Sequence, residues 1–145
     1  MAKPGKWISA LAACYALSAA AAEVSPSLVD VPVEGTKLVA PAEYAKASAV
    51  ARQGGTPLAI ALAIARAFEG STQHIIQVNE GGEAPSASRV TVLRDGLVDD
   101  SIRGERWDIA LKKGSTGVWR IHEVKRGWRC WRGEQQDRFA ARPCP

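Results

Sequence analysis

The first 22 residues constrain the fold most, because they have the organisation of a cleavable export signal. A positive start is followed by an apolar run from Trp7 to Leu17 and by small residues up to Ala22. Cleavage after Ala22 would leave a mature chain of 123 residues that begins at Glu23. This interpretation removes residues 1–22 from the folded domain and places that domain outside the cytoplasm, in a periplasmic or secreted location.

The export segment also allows a second interpretation, in which the chain is a lipoprotein. The stretch from Leu11 to Cys14 is similar to a lipobox, whose cysteine is lipidated and becomes the first mature residue. The apolar run before Cys14 is short and the residues after it stay apolar, which favours soluble export. Lipidation at Cys14 is the alternative, and the protein is expected at a membrane only in that case.

The cysteines support export in both interpretations. Of the three cysteines in the chain, only Cys130 and Cys144 belong to the folded part. In an oxidising compartment this pair most simply forms one disulfide that closes a short C-terminal loop, and two free buried thiols are the alternative. The spacing fits no zinc pattern, and His74 and His122 are the only histidines. No metal and no cofactor is therefore expected.

The first half of the mature chain predicts an arm and two helices. Residues 23–41 contain three prolines and are expected to form an extended lead-in arm, with a short edge strand at Leu38-Val39. Val31-Pro32-Val33 is the other stretch of the arm that could form this edge strand. Alanine-rich sequence predicts a helix over residues 41–53. A second helix is expected from a Thr56 cap to Gly70, with two apolar ridges that bury most of its surface.

The second half predicts strands joined by short polar turns. A short strand is expected at residues 71–78, a loop at 79–88, and three further strands at 89–94, 105–112 and 118–131, the last with a bulge near His122. The expected fold is therefore an α+β domain over residues 42–145. Its N-terminal helices pack on one face of a three- to four-stranded antiparallel sheet, and a disulfide closes its C-terminal tail.

Positive charge and tryptophan are concentrated in the predicted sheet. Residues 103–145 hold eleven Lys or Arg against five Asp or Glu, together with all four tryptophans of the mature chain. Such a surface would suit an anionic envelope component or an envelope protein, while export argues against nucleic acid. The alternative is that the tryptophans fill the core and the arginines solvate the sheet. The candidate binding residues are Arg106, Arg120, Arg126, Arg129, Trp131 and Arg132.

Two further functions are weighed against a non-enzymatic binding or accessory protein. A small envelope hydrolase would use His122 or the carboxylates of Asp99 and Asp100, although this acidic pair is typical of a turn and no nucleophile motif flanks the histidine. An inhibitor or immunity-type protein would insert a loop such as residues 79–88 into a partner. No catalytic residue is assigned.

Two stretches carry a resemblance to known sequences. Residues 90–107 include the Asp-Asp-Ser turn, and residues 128–133 read Trp-Arg-Cys-Trp-Arg-Gly ahead of the closing Cys144. Over about residues 56–145 the chain resembles a group of uncharacterised bacterial exported proteins. The resemblance implies export and a C-terminal disulfide, and it implies no substrate, cofactor or catalytic residue. Many members carry a Gly-His-rich stretch after the cysteine, where this chain has residues 133–137.

Overall fold

The computed structural model describes residues 27–145, so the export segment, Cys14 and the start of the arm lie outside the described residues. Two helices precede four long strands, and one short strand precedes the helices. The helices are α1 (Ala45–Arg52) and α2 (Pro57–Ala65), and the strands are β1 (Lys37–Leu38), β2 (Thr72–Glu80), β3 (Ala87–Asp95), β4 (Ile102–Lys113) and β5 (Trp119–Cys130).

The strands form one antiparallel sheet in the order β1-β5-β4-β3-β2. The predicted α+β class and antiparallel sheet are confirmed, but the predicted count of three to four strands is wrong. The fifth strand is β1, where Lys37 and Leu38 of the arm pair with Arg126 and Lys125. Among the described residues of the arm, only these two pair with β5.

The main core lies between the helices and one face of the sheet. Alternate residues of β3, β4 and β5 point to this face, among them Val90, Ile109 and Val124, all almost fully buried. They pack against Ile60 and Ile64 of α2 and against the alanines of α1. We refer to this side of the sheet as the helix face.

Both helices are shorter than the sequence predicts. Residues Pro41–Tyr44 form a 3-10 turn before α1. Helix α2 begins as expected, because the Thr56 hydroxyl accepts from Ala59 N at 3.2 Å and Pro57 is the first residue. It ends at Ala65 rather than near Gly70, since Arg66 leaves the helical region with a φ of 63°. The Arg94 side chain from β3 donates hydrogen bonds to the carbonyl oxygens that are freed there.

Only one of the two predicted ridges of α2 is buried. Ile60 and Ile64 have no more than 3% of their surface exposed, whereas Leu58 is 39% exposed and Leu62 is half-buried. The ridge of Leu58 and Leu62 is therefore only partly buried, while Pro57, Ile60, Ala61, Ile64 and Ala65 form the buried side of the helix. The helix covers the sheet on one side only, and nothing packs over its outer side among the described residues.

The opposite face of the sheet is covered at one end only. There Leu93 of β3 is buried beneath Leu28 from the arm and Phe139 from the C-terminal tail. The tail is held in place by the Cys130–Cys144 disulfide, which confirms the predicted pairing, and by backbone bonds between Trp128 and Ala140. The rest of this face carries only half-buried or exposed side chains.

Two register shifts interrupt the pairing of β4 with β5. One leaves His122 without a partner between Ile121 and Glu123, which is the bulge predicted from the change of parity along this strand. The other leaves Arg103 unpaired between Ile102 and Gly104. A bulge changes the direction of the side chain that it carries, and the second shift turns Arg103 toward the face opposite the helices.

Candidate functional site

The uncovered part of the sheet carries a basic surface, which we call the bare face. The register places Arg89 of β3, Lys112 of β4 and Arg120 of β5 on this side of the sheet, and all three are exposed. Lys112 and Arg120 are direct cross-strand neighbours. Like charges in adjacent strand positions repel each other, so this arrangement favours a bound anion.

Two ion pairs border these three residues. Arg106 donates to Asp108 at 2.7 and 2.9 Å, and Lys125 Nζ lies 2.8 Å from the Glu123 carboxylate. By contrast, Arg89, Lys112 and Arg120 form no ion pair with any described residue. The bare face therefore has a positive charge that the described protein does not neutralise.

A second basic feature lies at the covered end of the same side of the sheet. Arg103 Nε and Arg129 Nη1 each lie 3.2 Å from the same carboxylate oxygen of Asp95. The Arg103 guanidinium stacks on the ring of Trp131 at 5.4 Å from its centre. Beside them is a cavity of about 330 Å³, which His74 also lines. We call this group the arginine pocket.

The two arginines of this pocket differ in exposure and in how many hydrogen bonds hold their side chains. The Arg129 side chain is only 12% exposed, and its Nε donates to Gln136 O at 2.7 Å. Burial lowers the pKa of its guanidinium, an effect that the charge of Asp95 opposes and that of Arg103 reinforces. The Arg103 side chain is 33% exposed, although its Nε is buried and forms no hydrogen bond to any described residue. Arg103 is thus the more exposed of the two arginines.

Two glycines allow these groups to approach one another. A Cβ at residue 104 would lie 2.5 Å from Arg94 O and 3.1 Å from Asp95 Oδ1, so a side chain there would separate β4 from β3. Gly96 has a φ of 62° and leaves room for the Ser71 hydroxyl. The turn at Asp95-Gly96 and the bulge at Arg103 therefore form the pocket together.

Arg126 does not belong to either basic feature, because it lies on the helix face. Its guanidinium donates to the Glu105 carboxylate and is 4.6 and 4.9 Å from the ring centres of Trp107 and Trp128. Both rings are buried, as expected if these tryptophans fill the core. A smaller cavity of about 250 Å³ adjoins this cluster. Arg126 thus stabilises the packing of β4 and β5.

The six candidate residues consequently do not form one surface. Arg106 and Arg120 lie on the bare face, Arg129 and Trp131 lie in the arginine pocket, and Arg132 bonds to the backbone oxygen of Asp100 at 3.1 Å. Four residues of these features were not among the candidates from the sequence. They are Arg89, Asp95, Arg103 and Lys112. The alternation of residues along a strand would place Arg89 and Lys112 on the bare face. No sequence pattern indicates the bulge that directs the Arg103 side chain.

The residues of the hydrolase alternative are not brought together. His122 lies at the start of β5, while Asp99 and Asp100 precede β4 at the other end of the sheet, roughly 30 Å away at about 3.4 Å per strand residue. The Asp99 carboxylate accepts hydrogen bonds from the backbone amides of Ser101 and Ile102 at 2.8 and 2.6 Å. This is the turn geometry that the Asp-Asp-Ser sequence predicts.

This turn supplies a stability prediction. Replacing Asp99 by alanine is expected to lower the free energy of unfolding by about 0.5–1 kcal/mol at neutral pH, because two backbone amides lose their acceptor. Hydrogen bonds from these amides lower the pKa of the Asp99 carboxyl in the folded protein. The stabilisation of the fold by Asp99 is therefore fully present above the usual carboxyl pKa of about 4. It is lost as the pH falls below that value and through the lower pKa of the folded state. Urea unfolding at pH 7 and pH 3 measures the difference.

Asp100→Ala is the matched control for this substitution, since the Asp100 carboxylate accepts no hydrogen bond from a described residue. We expect its stability to equal that of the wild type at both pH values. An equal decrease in the free energy of unfolding of the Asp99→Ala and Asp100→Ala variants would contradict the stabilising role of the Asp99 hydrogen bonds.

The loop of the inhibitor alternative is shorter than predicted. Residues 79–80 end β2 and residues 87–88 begin β3, so only residues 81–86 form the turn. Asn79 and Ser88 face each other across the two strands, and the Ser88 hydroxyl donates to Asn79 Oδ1 at 2.8 Å. Four of the ten residues predicted as a loop therefore belong to the two strands, and the loop itself is six residues long.

Among residues 27–145, no cluster of three or more His, Cys, Asp or Glu side chains has the arrangement of a metal site. No helix in the same range has the length and hydropathy needed to cross a membrane. The disulfide is compatible with an exported protein.

The fold and these features define a class of protein: a disulfide-closed α+β domain with helices on one face of its sheet and a basic, partly open surface on the other. Comparisons with protein-family models, curated proteins and solved structures find no match for the chain.

Proposed function

We propose that this protein is an exported, non-enzymatic binding module of the bacterial envelope, and that its bare face binds an anionic glycopolymer. One observation carries the proposal. Three exposed basic residues of β3, β4 and β5 share a face on which they have no carboxylate partner among residues 27–145. A polyanion would supply the missing negative charge, and it would do so along the full width of three strands.

The shape of the bare face favours a polymer over a lipid surface. Small or polar residues such as Thr91 and Ala110 lie between the basic side chains, and the nearest exposed apolar residues are Ile76 and Val78 on the edge strand. A protein that inserts into a membrane interface usually presents a larger group of aromatic or aliphatic residues beside its basic ones. A flat row of charges instead fits an extended chain.

Salt-dependent retention on a polysaccharide tests the proposal. The protein is expected to bind immobilised heparin, used as a polyanionic polysaccharide, and to elute as sodium chloride screens the contacts. Replacing Arg89, Lys112 and Arg120 together by glutamine should shift elution to a clearly lower salt concentration. The three residues are exposed, so the variant is expected to fold like the wild type.

A second triple variant controls for net charge. It carries glutamine at Lys37, Lys46 and Arg52, which are exposed residues of β1 and α1 without ion pairs among the described residues. This variant should elute close to the wild type. Equal shifts in both variants, or binding to phosphatidylglycerol vesicles without retention on heparin, would contradict the proposal.

A further inference from the structure

We propose that the arginine pocket binds one anionic sugar unit, meaning a pyranose ring that carries a carboxylate or a phosphate ester. This inference rests on the proposed function, because the sugar would belong to the polymer that follows the bare face. It goes further by assigning a separate site, with different residues, to a single unit of the ligand. The cavity of about 330 Å³ lies within the size range of small-molecule sites.

The charge balance of the pocket favours an anion. Two guanidinium groups, from Arg103 and Arg129, share the single carboxylate of Asp95, which leaves one positive charge without a partner. Asp95 and Gln136 hold Arg129 in place. Arg103 makes one long hydrogen bond to Asp95 Oδ2, at 3.5 Å, and its side chain is 33% exposed, so its guanidinium is the less tightly held of the two. A carboxylate or phosphate oxygen is the acceptor that a guanidinium binds most strongly.

The remaining lining favours a sugar ring over a bare ion. Ser71, Thr72 and His74 add hydroxyl and imidazole groups along the β2 side of the cavity, and such groups suit the hydroxyls of a sugar. Trp131 is 40% exposed although Arg103 stacks on its ring. The apolar surface of an exposed indole packs well against the C–H groups of a pyranose, while its polar surroundings stay wet.

The pocket is also fixed before any ligand binds. The Arg103 bulge, Gly96 and Gly104 position its donors on β3, β4 and the turn between them. The disulfide at Cys130 anchors the end of β5 next to Trp131. Groups that are already ordered lose little entropy on binding, which is the property expected of a specific site.

Titration with small ligands tests this site apart from the polymer. Glucuronate and glucose 6-phosphate are added to the protein while calorimetry and the backbone amide spectrum are followed, with glucose and inorganic phosphate as the uncharged and ring-free comparisons. Both charged sugars should bind and shift the amides of Arg103 and Trp131. Glucose and inorganic phosphate should each bind at least about tenfold more weakly, because each lacks one set of contacts.

Variants then assign the contacts. Arg103→Gln and Trp131→Ala should each weaken the binding of both charged sugars by about tenfold or more, while Lys46→Gln on α1, outside both basic features, should leave it unchanged. Trp131 is partly exposed, so its variant tests the site even if the loss of Arg103 disturbs the fold. His74→Gln provides a third variant, because His74 also lines the cavity, and it should weaken the binding of both charged sugars too.

Each outcome separates this inference from the proposed function. Inorganic phosphate that binds as tightly as glucose 6-phosphate would overturn the assignment of a sugar, and glucose that binds equally well would overturn that of an anion. Charged sugars that fail to bind, or that bind equally to the Arg103 and Trp131 variants, would overturn the pocket even when heparin retention persists. Loss of heparin retention with intact sugar binding would overturn the proposed function alone.

Discussion

Replacing Arg94 by methionine is expected to lower the free energy of unfolding by about 3 kcal/mol. Arg94 is 3% exposed, and its guanidinium donates to the backbone oxygens of Ala65, Arg66 and Ala67 at the end of α2. It also donates to the Gln73 side chain at 2.9 Å. Methionine preserves much of the volume but leaves these acceptors without a donor. Urea unfolding followed by circular dichroism measures the change.

In the Arg94→Met variant, the loss of stability should be greatest at the end of α2, where amide hydrogen exchange is expected to accelerate. Arg89→Met is a matched control, because Arg89 lies on the same strand but is exposed on the bare face. We expect that variant to change the free energy of unfolding by no more than about 0.5 kcal/mol. Similar losses in the two variants would show that Arg94 does not cap the helix.

Replacing Cys144 by serine is expected to lower the free energy of unfolding by about 3 kcal/mol, because the disulfide to Cys130 closes a short loop and restricts the unfolded chain. The same loop carries Phe139, which is fully buried against Leu93. Loss of the bond should therefore also loosen the tail and the arginine pocket beside it. Thermal unfolding under non-reducing conditions gives the change.

Reduction of the wild type supplies the control for this variant. Wild-type protein treated with dithiothreitol should match Cys144→Ser, and the reductant should have no further effect on the variant itself. A variant that unfolds at the wild-type temperature would contradict a stabilising role for the bond. Binding of charged sugars that survives in the variant would show that the pocket keeps its shape without this anchor.

Local sequence patterns predicted several features of this domain. The Thr56-Pro57 pair predicts the start of α2, the change of parity predicts the bulge at His122, and the cysteine count predicts the disulfide. Strand alternation also separates Trp131 from Trp128, which lie on opposite faces of the sheet as expected. Each of these features depends on residues close together in the chain or on a count.

The end of α2 shows why other features escaped prediction. Apolar residues continue past Ala65, so the pattern extends the helix toward Gly70, whereas the helix stops where Arg94 reaches its carbonyl groups from a strand 29 residues further along the chain. The prediction that Arg126 and Arg129 belong to one binding surface is wrong for a related reason. Charge and composition do not reveal which face of a sheet the helices cover.

The sequence by itself determined the class of fold, the cysteine pair and the concentration of basic and aromatic residues in the strands, because composition and short-range periodicity are local properties. Only the tertiary structure decided which of those residues share a surface. Arg103, Asp95 and Trp131 meet because a bulge, a turn and the end of β5 converge at one end of the sheet. Such a meeting depends on the register between strands, which long-range packing sets.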